Sequence, residues 1–406
     1  MQKWKLIHGN IATPAGFCAA ATSAGIKHEL NALDLALIFS EVSGTVAAAV
    51  FSTNRVVGAP VVLGREHLRR SRGRLRAIIV NSGNGNVSNG PAGLRTSRKT
   101  AEAVGKLMGV PVQEVLVSST GVIGVPLDLK LILNSLPILK RNLSKMAVDV
   151  ETAIMTTDTV PKSAVLRTSF GGKHTHIAGV AKGAGMIHPH MATMLCYITT
   201  DLAMEPRTLQ VILREAIRDS FNRITVDGDI STNDTVVVLA NGASGLPAIR
   251  RESRHYTDVL VGFKQICSLL ARKIVADGEG AKRFIEIEVR GARKSHEADQ
   301  VARAIANSAL VKTAFAGGDP NWGRILCAVG YSGAKIDPDL VEIRVGGLTL
   351  CRRGRRVAFE EAEAQKRMKQ KEVSVTVNLH QGKARTRFWT CDLTENYIRI
   401  NALYRT

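Results

Sequence analysis

The sequence predicts an α/β protein, and three observations carry that expectation. Short aliphatic, β-leaning runs recur along the 406 residues, at 35–39, 46–51, 77–80, 114–117, 193–198 and 235–240. Amphipathic stretches with helical spacing alternate with them, at 95–109, 205–221 and 257–275. The composition is 45% hydrophobic but only 4% aromatic, so the core must be built from Val, Ile, Leu and Ala.

A chain of 406 residues is too long for one simple core, and two or three subdomains are expected. No apolar run approaches the roughly 20 residues of a membrane span. The opening segment from Met1 to His8 is too polar for a secretion signal. Six cysteines lie far apart without a CxxC pair, so neither a zinc ribbon nor a disulfide framework is suggested. A reducing cytoplasm suits such thiols. The net charge of +20 invites a nucleic-acid reading. The basic residues are nevertheless dispersed, with clusters only at Arg65–Arg76 and Arg352–Arg356, and no nucleic-acid motif accompanies them. Solubility and attraction of acidic small molecules is the milder account. Neither a nucleic acid nor a membrane is expected as partner.

Runs 35–39 and 46–51 read as adjacent strands joined by a turn at 41–44. Strand 77–80 enters Asn81-Ser82-Gly83-Asn84-Gly85-Asn86, a loop that permits positive φ. No GK[ST] follows it, so a phosphate loop is a poor reading. Helix 95–109 stops at Gly109 and Pro111. Strand 114–117 runs into Ser118-Ser119-Thr120-Gly121-Val122-Ile123-Gly124, which gathers O–H and N–H donors at one point. That is the material of an oxyanion hole, although a Ser/Thr-rich turn is commoner. Residues 149–161 begin as a helix and end in Ile154-Met155-Thr156-Thr157-Asp158-Thr159.

The stretch from Lys182 to Leu195 starts as a glycine-rich loop and ends in an apolar strand. Thr193 stands where loop becomes strand, behind the small Ala192, whose carbonyl is open to attack. A hydroxyl that cut the Ala192–Thr193 bond would gain a free α-amino group, which titrates near neutral pH and can serve as its own base. Most Ala-Thr pairs before a strand are only packing. His174, His176, His188 and His190 form two HxH pairs, but no Cys or acidic ligand lies at a suitable interval, and no metal is expected.

Further on, Asp227, Asp229, Ser231 and Asn233 alternate like a calcium loop, yet Thr232 and Val238 stand where Gly and Glu are needed, so that reading fails. Helix 257–275 leads into Ala276-Asp277-Gly278-Glu279-Gly280-Ala281. Residues 284–290 alternate as a strand, and Ser295 is expected to cap a helix reaching about Val311. Asp319 and Arg324 suggest a bracing ion pair. Sheet and helix alternate from Asp337, with 365–371 a charged linker or helix end and 373–379 a half-buried strand. The chain closes on Cys391-Asp392-Leu393-Thr394 and on Asn401-Ala402-Leu403-Tyr404-Arg405-Thr406.

Taken together, the segments at 118–124, 154–159, 182–195, 222–235, 276–281 and 391–406 resemble the motifs of the ornithine acetyltransferase (glutamate N-acetyltransferase) family, from near Gly16 to Thr406. His190 departs from the Asn most often seen there. The resemblance implies a four-layer αββα core of the N-terminal-nucleophile-like type with a smaller C-terminal α/β domain. It implies self-cleavage into 1–192 and 193–406, with 193–282 completing the core and 283–406 forming the smaller domain. Thr193 is implied as nucleophile, and the Thr120 side chain and Gly121 N–H as oxyanion hole. Thr156, Lys182, Thr193, Glu279, Asn401 and Thr406 are implied in substrate binding, with Lys182 on the carboxylate and Glu279 on the amino group. The implied reaction moves acetyl from N-acetylornithine to glutamate through acetyl-Thr193, without a cofactor, in two α and two β chains. Acetyl-CoA is a further candidate donor, on which family members differ. The same architecture also hosts N-terminal-nucleophile amidases and aminopeptidases, which remain the alternative.

Overall fold

The computed structural model describes residues 3–146, 149–188 and 194–403. They form a mixed α/β protein in two compact units. The first is built from the described residues up to Asn222 together with Asp229–Ile274, and the second from Arg223–Gly228 and the chain from Val275 onward.

The first unit contains strands β1 (Lys5–Ile7), β2 (Phe17–Thr22), β3 (Leu35–Ser40), β4 (Val46–Phe51), β5 (Ala77–Asn81), β6 (Val115–Ser119), β7 (Lys162–Phe170), β8 (Lys173–Lys182), β9 (Leu195–Thr200) and β10 (Thr235–Ala240). Its helices are α1 (Ala59–Arg70), α2 (Gly90–Met108), α3 (Leu129–Arg141), α4 (Val150–Ala153), α5 (Pro206–Arg218) and α6 (Tyr256–Ala276). One sheet has the order β1-β7-β8-β9-β10-β4 and the other β2-β3-β5-β6. The strands alternate between two destinations. Ala36 and Ile38 of β3 and Ile78 and Val80 of β5 share a core with Val180, Leu195, Tyr197, Val237 and Leu239 of the other sheet. Leu35, Leu37, Ala77 and Ile79 face the opposite way, onto Leu63, Val104, Ile132 and Leu136 of the first three helices. Burial on both faces is why these strands read as unbroken apolar runs rather than as alternation.

That same feature misleads about connectivity. The expected hairpin of 35–39 with 46–51 does not form: β3 pairs with β2 and β5, whereas β4 pairs with β10. The short connection hands the chain from one sheet to the other, held by Thr45 Oγ1 donating to the Val42 carbonyl at 2.7 Å.

The second unit holds β11 (Phe284–Ala292), β12 (Glu342–Val345), β13 (Leu348–Arg352), β14 (Arg355–Arg356), β15 (Glu372–Asn378) and β16 (Ala384–Cys391), in the order β14-β13-β12-β15-β11-β16. Its helices are α7 (Ser295–Asn307), α8 (Ala309–Gly317), α9 (Trp322–Gly330), α10 (Glu361–Met368) and α11 (Glu395–Leu403). The single helix expected from Ser295 to Val311 is therefore two. Ser308 leaves the helical conformation at ψ 111° and caps α8 by accepting the Val311 N–H. Ser295 itself is the first helical residue, and Lys294 is the N-cap. Asp319 and Arg324 do not pair. Arg324 Nη1 donates to the Leu310 carbonyl at 2.8 Å, while Asp319 accepts from Asn321 Nδ2.

Candidate active site

The turn after β6 is built around Gly121. Its φ is +126°, and a Cβ there would lie 2.4 Å from the Gly83 carbonyl carbon, so only glycine fits. The Asn81–Asn86 loop supports it from below. Thr120 N–H donates to the Asn81 carbonyl at 3.0 Å, and Val122 N–H to the Gly83 carbonyl at 3.3 Å. Ser119 Oγ donates to Asn81 Oδ1 at 2.6 Å, and Asn81 Nδ2 to the Asn84 carbonyl at 2.8 Å. Asn233 ties the turn to the chain before β10, donating to the carbonyls of Gly85 at 2.5 Å and Ser119 at 2.8 Å. Among the described residues the Gly121 N–H makes no hydrogen bond. A rigid turn with an open N–H beside a threonine hydroxyl is the geometry an oxyanion hole requires.

Lys182 closes on this turn. It ends β8 directly opposite Leu195 of β9 and is only 2% exposed. Its Nζ donates to Thr156 Oγ1 at 2.8 Å and to Thr120 Oγ1 at 3.2 Å. An ammonium has donors only, so the Thr120 oxygen must accept from it and keeps its own proton for another acceptor. Lys182 thereby holds Thr120 in the donor orientation. Thr120, Gly121, Thr156 and Lys182 are thus brought together.

Beneath them lies a residue that sequence reasoning passed over. Asp158 accepts from Lys162 Nζ at 2.6 Å, from Gly183 N–H at 2.7 Å and from Thr156 N–H at 3.1 Å. Burial alone would raise its carboxyl, but the charges of Lys182 and Lys162 and the bonds to Lys162 and Gly183 hold it below the ordinary value. The Asp158 and Lys162 side chains are fully buried. Asp158 therefore fixes both the Thr156 segment and the start of the chain after Lys182. The signal in sequence was faint, an acid and a lysine at an i, i+4 spacing in an otherwise uncharged stretch.

The far side of the strand start is set by Asp234, also missed. Its Oδ1 accepts the Met194 N–H at 2.9 Å, and Thr235 N–H donates to the Met194 carbonyl at 3.1 Å. Thr193, with 189–192 before it, His190 included, and Thr406 lie outside the described residues.

In the second unit, Glu279 is 7% exposed and accepts from Asn401 Nδ2 at 2.8 Å. Gly280 has φ +68°, and a Cβ on it would meet the Tyr397 nitrogen at 2.5 Å, so α11 sits flush against this turn. Thr394 Oγ1 donates to the Gly280 carbonyl at 2.6 Å and locks the contact. Glu279 and Asn401 are thus a preformed pair.

Among the described residues no group of three His, Cys, Asp or Glu side chains could hold a metal ion. His176 instead pairs with Asp201, Nδ1 to Oδ2 at 3.1 Å.

The comparisons agree in direction. The ArgJ family model matches residues 18–406. Arginine biosynthesis bifunctional protein ArgJ of Geobacter sulfurreducens is 46% identical over 396 residues, covering 96% of this chain and 99% of its own. The protein of that name from Symbiobacterium thermophilum is 45% identical over 400 residues, covering 98% and 99%. A crystal structure of arginine biosynthesis bifunctional protein argJ from Bacillus halodurans superposes with TM-score 0.50 at 42% identity, over 51% of this chain and 98% of that one. On a match that spans almost its whole length, and with relatives this similar, the chain belongs to the ArgJ family.

Proposed function

We propose that the chain is a glutamate N-acetyltransferase of arginine biosynthesis that first cuts itself between Ala192 and Thr193. The observation that carries this reading is the convergence on Lys182. A buried ammonium, two threonine hydroxyls and an open glycine N–H meet opposite the strand that follows Thr193. A lysine buried this deeply must be hydrogen-bonded and charge-compensated, and the two threonine hydroxyls and the charge of Asp158 do that for Lys182.

In the first half-reaction the Thr193 hydroxyl attacks the acetyl carbonyl of N-acetylornithine, and the freed α-amino group of Thr193 takes its proton. The oxyanion is received by the Thr120 hydroxyl and the Gly121 N–H. Each such donor is worth about 3 to 4 kcal/mol in the transition state. The intermediate collapses with the proton passing to the departing nitrogen, ornithine leaves, and acetyl remains on the Thr193 oxygen. Glutamate then brings its amine to the same carbonyl, giving N-acetylglutamate and ping-pong kinetics. Lys182 and Thr156 receive the substrate carboxylate end, Glu279 with Asn401 its amino group, and Thr406 completes the binding set. No cofactor enters this cycle, and acetyl-CoA is an alternative donor of the same acetyl group.

The two sheets packed through a shared core, with helices outside, are read as the inner layers of an αββα sandwich. The products 1–192 and 193–406 stay together and assemble as two copies of each, in the cytoplasm. The solved Bacillus halodurans chain, matched over 98% of itself but 51% of this chain, has about the length one side of a central cut would leave. Intact-mass measurement tests the scheme. The wild type should give two chains, and N-acetylornithine without glutamate should add one acetyl group to the chain beginning at Thr193. Glutamate should remove it and speed ornithine release, which a hydrolase would not show. Thr193→Ala should give one uncut chain with no transfer, and full transfer by that variant would overturn the proposal.

A further inference from the structure

The basic cluster at Arg65–Arg76 has no role in the scheme above, yet folding gives it a shape. Arg65, Leu68 and Arg69 share one face of α1 by their three- and four-residue spacing, and Arg72 continues the row past the helix end. Arg207 stands across from them in the first turn of α5. These four arginines line a groove of about 450 Å³, which Phe51 shares from β4, the edge strand of the six-stranded sheet. Among the described residues that line it none is acidic. The acids that neighbour these arginines in sequence are engaged with other cations, Glu66 with Arg70 at 2.8 Å and Arg98 at 3.3 Å, and Glu205 with Arg250 at 2.9 Å. Arg65 is held in place: its Nη2 donates to the Ser52 carbonyl at 2.7 Å and its guanidinium stands 5.8 Å from the centre of the Phe51 ring. A guanidinium carries five donors, so that one bond fixes Arg65 without exhausting it. Arg72 has φ +56°, a left-handed conformation where glycine is the ordinary residue after a helix, and the chain keeps a guanidinium there despite the strain. A concave wall of one sign focuses its field on whatever anion enters.

We propose that this groove is a nucleotide site, which takes a diphosphate on Arg69, Arg72 and Arg207 and the attached base against Phe51, Leu68 and the Arg65 guanidinium. Guanidinium forks pair bidentately with phosphate oxygens, and Arg65 offers a flat cation for a base to stack on. Phe51 and Leu68 are half-buried and give the groove an apolar floor. The volume falls in the range of small-molecule sites. A pocket of this size holds one nucleotide, whereas a nucleic-acid strand needs basic residues spread along a track. Two sources carry the same group, a free nucleoside diphosphate and the nucleotide half of an acyl-CoA.

Calorimetric titration of the purified protein with ADP, pyrophosphate and CoA tests this. ADP should bind at one site per chain, and about 10-fold tighter than pyrophosphate, which has the diphosphate without the base. Arg69→Ala and Arg207→Ala should each weaken ADP binding by about 10-fold or more. Both side chains are exposed, so the variants should keep the wild-type far-UV circular dichroism. Arg353→Ala combined with Arg355→Ala removes two charges from the other basic cluster, and should change ADP binding by no more than about two-fold, because distant charges are screened. CoA binding about 10-fold tighter than ADP marks an acyl-CoA as the source, through its additional phosphate; CoA no tighter than ADP marks a free nucleotide. The proposal is overturned if neither ADP nor CoA binds, if pyrophosphate binds as tightly as ADP, or if Arg69→Ala and Arg207→Ala bind ADP as the wild type does. An equal loss in the Arg353 and Arg355 variant overturns it too, since general charge would then be the cause. So does a short single-stranded RNA that binds more tightly than ADP and displaces it. Binding is read without turnover, so these outcomes leave the acetyl-transfer scheme untouched, and failure of that scheme leaves them readable.

Discussion

Lys182 makes its neighbours useful. Its Nζ occupies the acceptor side of Thr120 Oγ1 at 3.2 Å, and the hydroxyl proton is thereby directed away from it. Two substitutions test these roles. Thr120→Ala removes a hydroxyl proposed as an oxyanion donor and should lower kcat by about 100- to 1,000-fold with little change in KM. Lys182→Ala should raise the KM for N-acetylornithine and, because Thr120 loses the donor that orients it, lower kcat as well; steady-state kinetics showing an unchanged KM would contradict its assignment to the carboxylate. Lys182 and Thr120 were legible in the sequence because their motifs are contiguous. Asp158 was not. In sequence it is one acid in a run of threonines; its importance arises only when folding removes it from water beside Lys162 and Lys182. Asp158→Asn would leave those lysines without their carboxylate and should cost about 3 to 5 kcal/mol at neutral pH. The sign of the pH dependence follows from its depressed carboxyl. The wild-type advantage is complete above the unfolded value, near 4, and is lost as pH falls through the lower folded value. Urea unfolding should therefore show the gap between the two proteins narrowing below about pH 4, and a constant gap would argue against the pair.

Among the elements, the Asn81–Asn86 loop and the segment before β10 act as one support for the turn at Thr120 and Gly121, joined through Asn233. Asn233→Ala leaves the Gly85 and Ser119 carbonyls buried without that donor, and should destabilise by about 2 to 4 kcal/mol. The melting temperature should fall and kcat with it; full activity together with full stability would mean the turn holds without its brace. The strands themselves were readable as strands, since aliphatic runs bounded by turn residues have few other fates. Their partners were not. Residues 46–51 follow 35–40 so closely that a hairpin is the local expectation, yet the partner of Val46–Phe51 is Thr235–Ala240, almost two hundred positions away. Nothing in a two-faced apolar strand says which edge it seeks, because both of its faces demand burial. The break at Ser308 was hidden for a related reason: helical spacing continues across it, and only the cap geometry reveals the stop.

For the whole molecule, the sheet order decides what a cut before Thr193 would do. Strands β9 and β10 follow the cut and pair with each other in parallel. They are flanked on both sides by strands that precede it, β8 against β9 and β4 against β10. Leu195, Tyr197, Val237 and Leu239 also share their core with Ile38, Ile78 and Val80 from before the cut. Pulling the products apart would break two strand pairings and bare an aliphatic core face at once, leaving buried backbone groups unpaired. Separation is therefore equivalent to unfolding the first unit. Purified protein that shows two chains on a denaturing gel should elute as one species in native gel filtration, and dilution should not divide it. Denaturant should release the chains only over the range in which far-UV circular dichroism is lost. Two separate peaks under native conditions would mean that the strand pairing across the cut does not hold the products, and the layout of this sheet could not then explain a self-cut enzyme that remains whole.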